Sequence, residues 1–459
     1  MNVSIYLRKL FFWVGAALSV LPALSQEPPT VAPDSQIVEA LHQVSPEHIR
    51  SSIEKLTSFQ TRSTLSAQDP ASIAAGHGIG AAREWIKSQF EAYSRDCGGC
   101  LEVRTDTFTQ APADRIPTPT QITNVYAILK GSDPDSAKRI VLVTGHYDSR
   151  NSDVLDTSGA APGANDDASG AAVSLECARV LSKLKFPATI IFLTVAGEEQ
   201  GLNGSSHFAK MAKSEGWDIQ AALNNDIVGG DRSPQQDSSA VRVFSEGLPA
   251  AATEAERRLI RNLGGENDSS SRELARYVAE VGRTYGGPMK PVLVFRLDRY
   301  GRGGDHSSFN QQGYPAVRFT EFRENFDHQH QNLRTENGVE FGDLPKFVNY
   351  DYVANVARLN LAALASLASA PAPPANVRIS LKKPDNSSTL TWESSPGGQA
   401  DGYEMLWRST TSPDWEHVQA LGNVTQHTSP VSKDNEILAV RSVDKAGHRS
   451  LAVVPSPEQ

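Results

Sequence analysis

The sequence predicts an α/β fold, in which helices cover a mostly parallel, twisted sheet, followed by a small all-β sandwich. Two apolar runs, 140–144 and 188–195, are nearly continuous and rich in β-branched residues, which is typical of strands buried on both faces. Between them, the segment 171–184 has the apolar spacing of a helix and ends before Pro187. A strand, a helix and a strand in this order predict a right-handed crossover between parallel strands.

The chain changes character after a helix that is predicted over 351–369. A Pro-rich spacer over 370–374 follows, and the remaining segment, 375–459, carries β patterns only. Its apolar and polar residues alternate in short segments separated by turn residues, at 377–381, 388–392, 402–408 and 436–444. This pattern predicts a β-sandwich as a second domain.

Part of this second domain resembles a known module. The motif Leu390-x-Trp392, the run from Tyr403 to Trp407 and the segment 440–447 are similar to those of fibronectin type III domains. An unrelated small sandwich is the alternative.

The first residues have the pattern of a secretory signal peptide. Arg8 and Lys9 precede an apolar run over 10–21, and the small residues Ala23 and Ser25 close the segment. Because the run is shorter than the roughly 20 residues of a membrane-spanning helix, cleavage is favoured over an uncleaved anchor. We therefore expect an exported protein, periplasmic or extracellular, divided into a signal peptide (1–25), a linker (26–40), a first domain (41–369), the spacer and the sandwich.

Length and charge set further limits on function. A chain of 459 residues is long enough for two folded units and a leader. Its formal net charge of −9 argues against a nucleic-acid partner, because phosphate binding requires a basic surface. No other apolar stretch is long enough to span a bilayer, so we expect no membrane contact after signal cleavage.

The three cysteines fit an oxidising compartment. Cys97 and Cys100 enclose two glycines after an amphipathic helix, and a structural disulfide is the favoured interpretation. Half a zinc ribbon or a redox motif fits less well, because the chain has no second Cys pair. Cys177 lies among apolar residues of the predicted crossover helix, so we expect a buried free thiol.

Acidic and histidine side chains follow the predicted strands at the points where the strands end. They are His146 and Asp148 after the first strand, Glu198 and Glu199 after the second, Asp226 near a third, and Asp166 in a Gly-rich loop before the crossover helix. Taken singly, each has an ordinary explanation as a hydrogen-bonding, solvated or helix-capping residue. Because the carboxyl ends of parallel strands meet in one crevice, we expect these side chains to lie together. A mixture of His and carboxylate ligands suits zinc.

The order and spacing of these motifs resemble the secreted double-zinc aminopeptidases, whose wider family includes glutamate carboxypeptidases, glutaminyl cyclases and the transferrin receptor. The resemblance covers residues 40–368. The motifs that carry it are His146-x-Asp148, Asn165-Asp-Asp-Ala-Ser-Gly170, Gly197-Glu-Glu199, Asn224-Asn-Asp226 and a late His. It implies an α/β zinc-exopeptidase fold and two Zn²⁺ ions in each chain.

The resemblance also implies the metal ligands. Asp166 would bridge the two ions, His146 and Asp226 would complete one zinc site, and Glu199 with the late His would complete the other. The family has a cis peptide within its Asp-Asp pair, which we expect between Asp166 and Asp167.

Two further residues receive roles from the resemblance. Glu198 would be the general base, acting on a water that bridges the two metals. Asp148 would fix the orientation of His146 by accepting the proton of its other ring nitrogen.

The late His is assigned by alignment. The family usually shows His-Thr-x-x-Asp-Thr, and aligning Thr335 on the final Thr selects His330 as the ligand, with His328 as the alternative. This alignment puts Arg334 where an Asp is usual, which is a departure from the family pattern.

Other histidines and two tryptophans have non-ligand interpretations. His306 matches a family segment that lines the site, as a structural or substrate-side element, and His207 is expected to serve packing. Trp407 and Trp415, if exposed, would mark a surface of the C-terminal domain for a polysaccharide, cell wall or protein. A plain spacer domain with both rings packed in its core is the alternative.

The function implied is that of a two-zinc aminopeptidase, which hydrolyses the N-terminal bond of a peptide substrate. A carboxypeptidase or dipeptidase on the same site is the first alternative, and it would need a cation for the substrate carboxylate; the candidates are Arg299, Arg302, Arg318 and Arg323. A glutaminyl cyclase, which works with one zinc, and a non-catalytic binding protein are less favoured, because neither ligands nor base are missing.

Overall fold

The computed structural model describes residues 32–382 and 384–458, so the expected signal peptide lies outside the described residues. The helices are α1 (Ser35–His42), α2 (Pro46–Thr57), α3 (Pro70–Ala74), α4 (Gly78–Asp96), α5 (Ala168–Leu181), α6 (Asn203–Ser214), α7 (Glu254–Leu263), α8 (Ser270–Tyr285), α9 (His306–Gln311) and α10 (Tyr350–Ser369). The strands are β1 (Leu101–Gln110), β2 (Thr120–Leu129), β3 (Arg139–His146), β4 (Thr189–Val195), β5 (Asp218–Asn225), β6 (Ala240–Ser245), β7 (Lys290–Val294), β8 (Ala316–Glu321), β9 (Arg334–Glu336), β10 (Val339–Phe341), β11 (Ala375–Ile379), β12 (Ser388–Glu393), β13 (Gly402–Ser409), β14 (His417–Gly422), β15 (Gln426–Ser429), β16 (Glu436–Val443) and β17 (Ser456–Pro457).

Eight strands form one mixed sheet in the order β1-β2-β4-β3-β5-β8-β6-β7. The central pairs β4-β3, β3-β5 and β5-β8 are parallel, while β1-β2, β2-β4 and β8-β6 are antiparallel. Strands β3 and β4 are parallel neighbours, with α5 between them in the chain, which confirms the predicted connection, and its right-handedness stays a prediction. The edge pair β6-β7 is parallel as well. The predicted fold class is confirmed: the sheet is parallel where the candidate site lies, and antiparallel pairing occurs only outside the central pairs.

The central strands are buried on both faces, because the side chains that point to either face of the sheet are apolar. Val141 and Val143 pack into the core that includes α5 and α10, whereas Ile140 and Leu142 pack on the other face, where α6 and α9 lie. Each such fully buried side chain contributes about 1.5–3 kcal/mol by its removal from water. This burial holds the strand ends at fixed positions, and the loops that carry the candidate site begin there.

The expected linker over 26–40 is wrong from residue 35 onward, because α1 begins there. Asp34 caps this helix by accepting a hydrogen bond from the backbone N–H of Gln36 over 2.7 Å. Ile37 and Ala40 are buried in the core of the first domain. Burial of the apolar residues on one face of this short helix stabilises it, although the sequence around it is polar and contains Pro. The folded domain therefore starts earlier than the composition suggests.

The cysteine predictions are confirmed. Cys97 and Cys100 form a disulfide directly after α4, and Cys177 is a buried free thiol on α5. Within the described ranges, no helix is both long and apolar enough to cross a membrane.

The C-terminal segment forms two small sheets, β15-β12-β11-β17 and β14-β13-β16. Between them lies a separate apolar core, which contains Leu390, Trp392, Tyr403, Met405 and Val440. This arrangement is the predicted sandwich, and its resemblance to fibronectin type III domains stays a prediction.

The sandwich packs against α8 of the first domain through polar contacts. The Trp415 indole N–H donates to Glu273 over 2.9 Å, and the guanidinium of Arg276 donates to the Pro413 carbonyl, also over 2.9 Å. Trp407 is half-buried and stacks on His417. Both tryptophans are thus half-buried, and a surface-binding role of the C-terminal domain stays a prediction.

Candidate metal centre

The strand-end residues singled out in the sequence converge at the carboxyl edge of β4, β3 and β5. His146 is the last residue of β3, Glu198 and Glu199 follow β4, and Asp226 follows β5. Asp166 lies in the loop that leads into α5, which packs on β3. The parallel pairing of these strands brings residues that are far apart in the chain into one cluster.

The first group of donor atoms comes from His146, Asp166 and Asp226, all of which are buried. His146 Nε2 lies 3.1 Å from Asp166 Oδ1 and 3.9 Å from Asp226 Oδ1. This nitrogen makes no hydrogen bond with the described residues, although it is fully buried. A buried ring nitrogen that faces two carboxylates in this way fits a metal ion between them.

The second group comes from Asp166, Glu199 and His330. His330 Nε2 lies 2.8 Å from Asp166 Oδ2 and 3.1 Å from Glu199 Oε1. Asp166 thus presents one carboxylate oxygen to each histidine, as the bridging position implied by the resemblance requires. Its peptide bond to Asp167 is cis, as expected.

The structure separates the two candidate late histidines. His330 faces the donor cluster, whereas His328 pairs with Asp231 and stacks on Phe347 with ring centroids 3.6 Å apart. Arg334, which occupies the usual Asp position, is exposed and bonds to Gln331 and Glu336.

Arg150 lies where a partner of the His330 ring would be expected. Its Nη2 lies 2.7 Å from His330 Nδ1, and its Nε donates to Glu199 Oε2 over 3.0 Å. A metal on His330 Nε2 requires the ring proton on Nδ1, so Arg150 would have to give up the first of these hydrogen bonds. Sequence reasoning missed this arginine, because nothing in its local sequence marks it.

Asp148 lies behind His146 and is fully buried. Its Oδ1 lies 3.3 Å from His146 Nδ1, the nitrogen that points away from the donor cluster. Its Oδ2 accepts from the Thr64 hydroxyl over 3.0 Å and from the Glu199 backbone N–H over 3.2 Å. Asp148 therefore positions both a histidine and the loop that carries the two glutamates.

Asp167 takes no part in the donor groups, and it organises the backbone instead. One oxygen accepts from the Gly170 N–H over 2.8 Å and so caps α5, and the other accepts from the His146 N–H over 3.0 Å. The adjacent Asp166 N–H donates to Asp343 over 2.7 Å. Asp343 is buried, and this burial raises its pKa to about 7.

Arg62 supports the loop that contains Asp166. Its guanidinium is fully buried and donates to backbone carbonyls, among them Tyr147 over 2.7 Å and Gly163 over 2.8 Å. Burial lowers its pKa to about 10, against the raising effect of the nearby carboxylates. Neither Arg62 nor Asp343 belongs to a sequence motif. Both contact residues that are far away in the chain, and such contacts cannot be predicted from local sequence patterns.

Glu198 is half-buried and lines a cavity beside the donor groups. Burial, together with the charges of Asp226 and Glu199, raises its pKa well above the ordinary value, although His146 opposes the shift. A carboxyl group with a raised pKa is suited to accept and return a proton near neutral pH.

Burial would lower the pKa of His146, but the surrounding Asp167, Asp148 and Asp166 raise it well above the ordinary value. Burial likewise opposes protonation of His330, yet Glu199 and Asp166 raise its pKa to about 10. Both histidines therefore lie in a strongly negative environment, which also favours a metal cation.

The remaining histidines that the sequence singled out lie outside the donor groups. His306 is buried, and its Nε2 lies 2.7 Å from the Leu297 carbonyl oxygen. His207 stacks on Phe108 with ring centroids 4.0 Å apart, and it lies 3.1 Å from Asp106.

Arg318 lies against one of the donor residues. It is fully buried, and its Nη2 lies 2.7 Å from Asp226 Oδ1, while Nη1 donates to Asp298 over 3.1 Å. Its position behind Asp226 shows that it is not available as a cation for a substrate in the cavity.

The cavity has a volume of about 600 Å³. Besides Asp166, Glu198, Glu199, Asp226 and His330, it is lined by Arg115, Arg150, Arg299, Arg302, Phe326 and Gln329, among others. Arg323, also considered as a substrate cation, does not line it.

The sequence of this chain is similar to those of known proteins. Residues 124–341 match the sequence pattern of Peptidase family M28. A probable zinc metalloprotease of Leptosphaeria maculans is 46% identical over 431 residues, which cover 93% of this chain and 98% of the relative. A probable zinc metalloprotease of Pyricularia oryzae is 47% identical over 436 residues, which cover 93% of this chain and 85% of the relative.

Solved structures show the likeness of the fold. The LapA aminopeptidase of Legionella pneumophila superposes with a TM-score of 0.51 at 20% identity, over 75% of this chain and 78% of that one. A glutaminyl cyclase of Macrostomum lignano gives a TM-score of 0.50 at 16% identity, over 75% of this chain and 96% of that one. At these identities the comparison concerns the fold alone.

Proposed function

The chain belongs to peptidase family M28 and is a zinc metallopeptidase, and from this premise we propose that it is a two-zinc aminopeptidase that removes the N-terminal residue of peptides. The observation that carries the proposal is the position of Asp166, whose two carboxylate oxygens face His146 and His330 respectively.

The donor set suits two zinc ions. Asp166 would be shared, His146 and Asp226 would complete one site, and Glu199 and His330 the other. Bound zinc supplies Lewis acidity, which polarises a peptide carbonyl and lowers the pKa of a water molecule.

Glu198 is the proposed general base. Its carboxylate would accept a proton from the attacking water and pass it to the nitrogen of the leaving peptide. Three features support this role: its place in the cavity wall, its raised pKa and its position beside Glu199 at the end of β4. The Glu198 N–H donates to Asp148 over 3.4 Å, so the residue that orients His146 also holds the base.

Cleavage at the amino terminus is supported by the presence of two donor groups that share Asp166. With zinc in both groups, one site would be available to the scissile carbonyl and the other to the nitrogen of a free α-amine. An N-acetylated substrate lacks this amine.

A carboxypeptidase or dipeptidase is the second candidate, and one observation favours it. Arg299 and Arg302 line the same cavity, so a cation is available for the carboxylate of a chain terminus.

A set of matched peptides tests these assignments. The zinc-loaded protein is incubated with one pentapeptide in free, N-acetylated and C-amidated forms, and the products are identified by mass. An aminopeptidase releases the first residue from the free and amidated forms and leaves the acetylated form intact. Release of the last residue from the acetylated form, with loss of activity on the amidated one, would establish the carboxypeptidase instead.

The remaining alternatives are distinguished in the same experiment. A glutaminyl cyclase converts a peptide with N-terminal Gln by loss of ammonia without releasing an amino acid, and a binding protein leaves every peptide unchanged. Metal analysis of the loaded protein is expected to give two zinc ions per chain.

Export of the protein is part of the proposal. The disulfide between Cys97 and Cys100 supports it, because such bonds persist in oxidising compartments. Identification of the first residue of the mature protein from a secreting culture tests it, and a start near Gln26 is expected.

A further inference from the structure

Four arginines line the cavity, and we name them together the arginine wall: Arg115, Arg150, Arg299 and Arg302. Arg115 belongs to the connection between β1 and β2, Arg150 follows β3, and the other two lie between β7 and α9. Three separate segments of the chain therefore bring positive charge to one place.

The carboxylates of the cavity do not balance this wall. Among the described residues that line the cavity, the carboxylates are Asp166, Glu198, Glu199 and Asp226, which are the proposed ligands and the base. Two zinc ions would carry four positive charges and offset these four carboxylates. The net charge that a substrate encounters in the cavity is then the positive charge of the arginine wall.

The arginines of the wall are also only partly neutralised by carboxylates of the surrounding protein. Arg299 and Arg302 both bond to Glu324, with distances of 2.8 and 2.7 Å, and Arg242 bonds to the same carboxylate over 2.9 Å. One carboxylate thus serves three guanidinium groups. Asp298 adds a second negative charge, but Arg318 shares it.

Two members of the wall keep donors available for a ligand. Arg115 donates from Nη1 to the Glu199 carbonyl over 3.0 Å and forms no ion pair with the described part of the chain. The Arg302 side chain is 32% exposed and bonds through Nη1. Since a guanidinium carries five N–H donors, each of these arginines retains enough for a bidentate contact.

An alternative explanation for the arginine wall is that its arginines neutralise the acidic cluster, but this explanation holds for only one of the four arginines. Arg150 pairs directly with Glu199. Arg302 is paired with Glu324, which is not a proposed ligand, and Arg115 donates to the backbone carbonyl of Glu199 without pairing with its carboxylate. These two arginines therefore do not neutralise the carboxylates of the metal ligands.

We propose, on the premise of the proposed peptidase function, that the arginine wall selects substrates with a carboxylate close to the scissile bond. Guanidinium groups bind carboxylates through short, charge-assisted and often bidentate hydrogen bonds. Such a carboxylate has two possible sources: an Asp or Glu side chain near the amino terminus of a peptide, or the terminal carboxylate of a very short peptide.

The test uses the full-length, zinc-loaded protein and pairs of peptides. Asp is compared with Asn, and Glu with Gln, at the first and second positions of a C-amidated pentapeptide, while a dipeptide with a free C-terminus is compared with its amide. In at least one of these pairs, we expect kcat/KM to be about tenfold higher for the carboxylate form. The pair that shows the preference identifies the source of the carboxylate.

Substitutions of two arginines test whether the arginine wall causes this preference. Arg115→Gln and Arg302→Gln are each expected to reduce it about threefold and the double variant to abolish it, as for partly exposed ion pairs. Both side chains reach solvent, so the variants should fold. Arg261→Gln, a substitution on the exposed face of α7, is the matched control and should leave the preference unchanged.

A binding measurement complements the rates. Calorimetric titration of zinc-loaded Glu198→Gln protein with the preferred acidic peptide and its amide should reproduce the preference in Kd, and the difference should shrink in high salt because of screening. If every pair differs less than about twofold, or if the double variant keeps the preference, the inference is wrong. Absence of hydrolysis of every free peptide would instead overturn the proposed peptidase function.

Discussion

The guanidinium of Arg441 lies 2.6 Å from the carboxylate of Glu280, and this ion pair joins the C-terminal sandwich to helix α8. Arg441 also lies 2.8 Å from Glu404 of its own domain, and its side chain is 3% exposed. Burial would raise the pKa of Glu280, but Arg441 lowers it below the ordinary value, so the carboxylate stays charged.

We expect Arg441→Met to lower the free energy of unfolding by about 2–3 kcal/mol, because the buried carboxylate of Glu404 and the half-buried carboxylate of Glu280 lose their shared partner while Arg449 remains beside them. Urea unfolding, followed by fluorescence, measures the change. Arg378→Met, on the exposed face of β11, is the control and should alter stability little. Equal effects of the two substitutions would show that the interface pair contributes nothing.

The two adjacent glutamates are expected to separate chemistry from metal binding. Glu198→Gln should retain both zinc ions and lower kcat by about 10²–10⁴-fold, because it removes only the base. Glu199→Gln should weaken binding of one ion at least about tenfold, because it removes a donor atom of the second group. Metal analysis after dialysis, together with turnover, checks both outcomes; near-normal turnover of Glu198→Gln would remove this residue from the mechanism.

The two late histidines form a matched pair. His330→Ala should release one zinc ion and abolish most of the activity, since His330 faces Asp166 and Glu199. His328→Ala should keep both ions, and should cost about 1–2 kcal/mol of stability through loss of its contacts with Asp231 and Phe347. Zinc titration of the two variants with a chromogenic chelator decides between them, and the opposite pattern would assign the ligand to His328.

Glu246 gives a dependence of stability on pH that is independent of the metal site. Burial raises its pKa to about 7, so the folded protein holds this proton more tightly than the unfolded chain does. The free energy of unfolding should therefore fall as the pH rises from the unfolded pKa near 4.5 to the folded pKa near 7, and the loss is complete above it.

Glu246→Gln removes this titration and keeps an oxygen for the Ala250 N–H, which the carboxylate accepts over 2.9 Å. We expect the variant to match the wild type near pH 4.5 and to be more stable by about 1–2 kcal/mol near pH 8, with allowance for partial contact with solvent. Urea unfolding of both proteins in the same zinc-free buffers gives the comparison. A constant difference at both pH values would show that Glu246 does not titrate in this window.

Much of the first domain could be predicted because its central strands are encoded locally. The run 140–144 lies within β3, and 188–195 corresponds to β4, since both are apolar on consecutive residues. The residues that follow them, His146, Glu198 and Glu199, were recognisable because a parallel sheet places its strand ends together.

Other parts of the site depend on contacts that no local pattern encodes. Arg62 and Asp343 hold the loop of Asp166 through hydrogen bonds to backbone groups, and such contacts form only when distant loops meet. The arginine wall has the same origin. Arg299 and Arg302 could be noted as cations in the sequence, but the sequence does not encode the direction in which their loop presents them.

The start of the first domain was missed for a different reason. Helix α1 is short, and the Pro-containing residues before it suggest a linker. Burial of Ile37 and Ala40 against the core outweighs that local signal, because tertiary contacts stabilise short helices more than intrinsic propensity does.

The donor atoms come from positions as far apart as residue 146 and residue 330. During synthesis on the ribosome, the second group stays incomplete until His330 has emerged, although β3, α5 and β4 have been made long before. If both donor groups bind zinc, a nascent chain cannot complete the second site early, and the second ion would be taken up only where the chain finishes its folding.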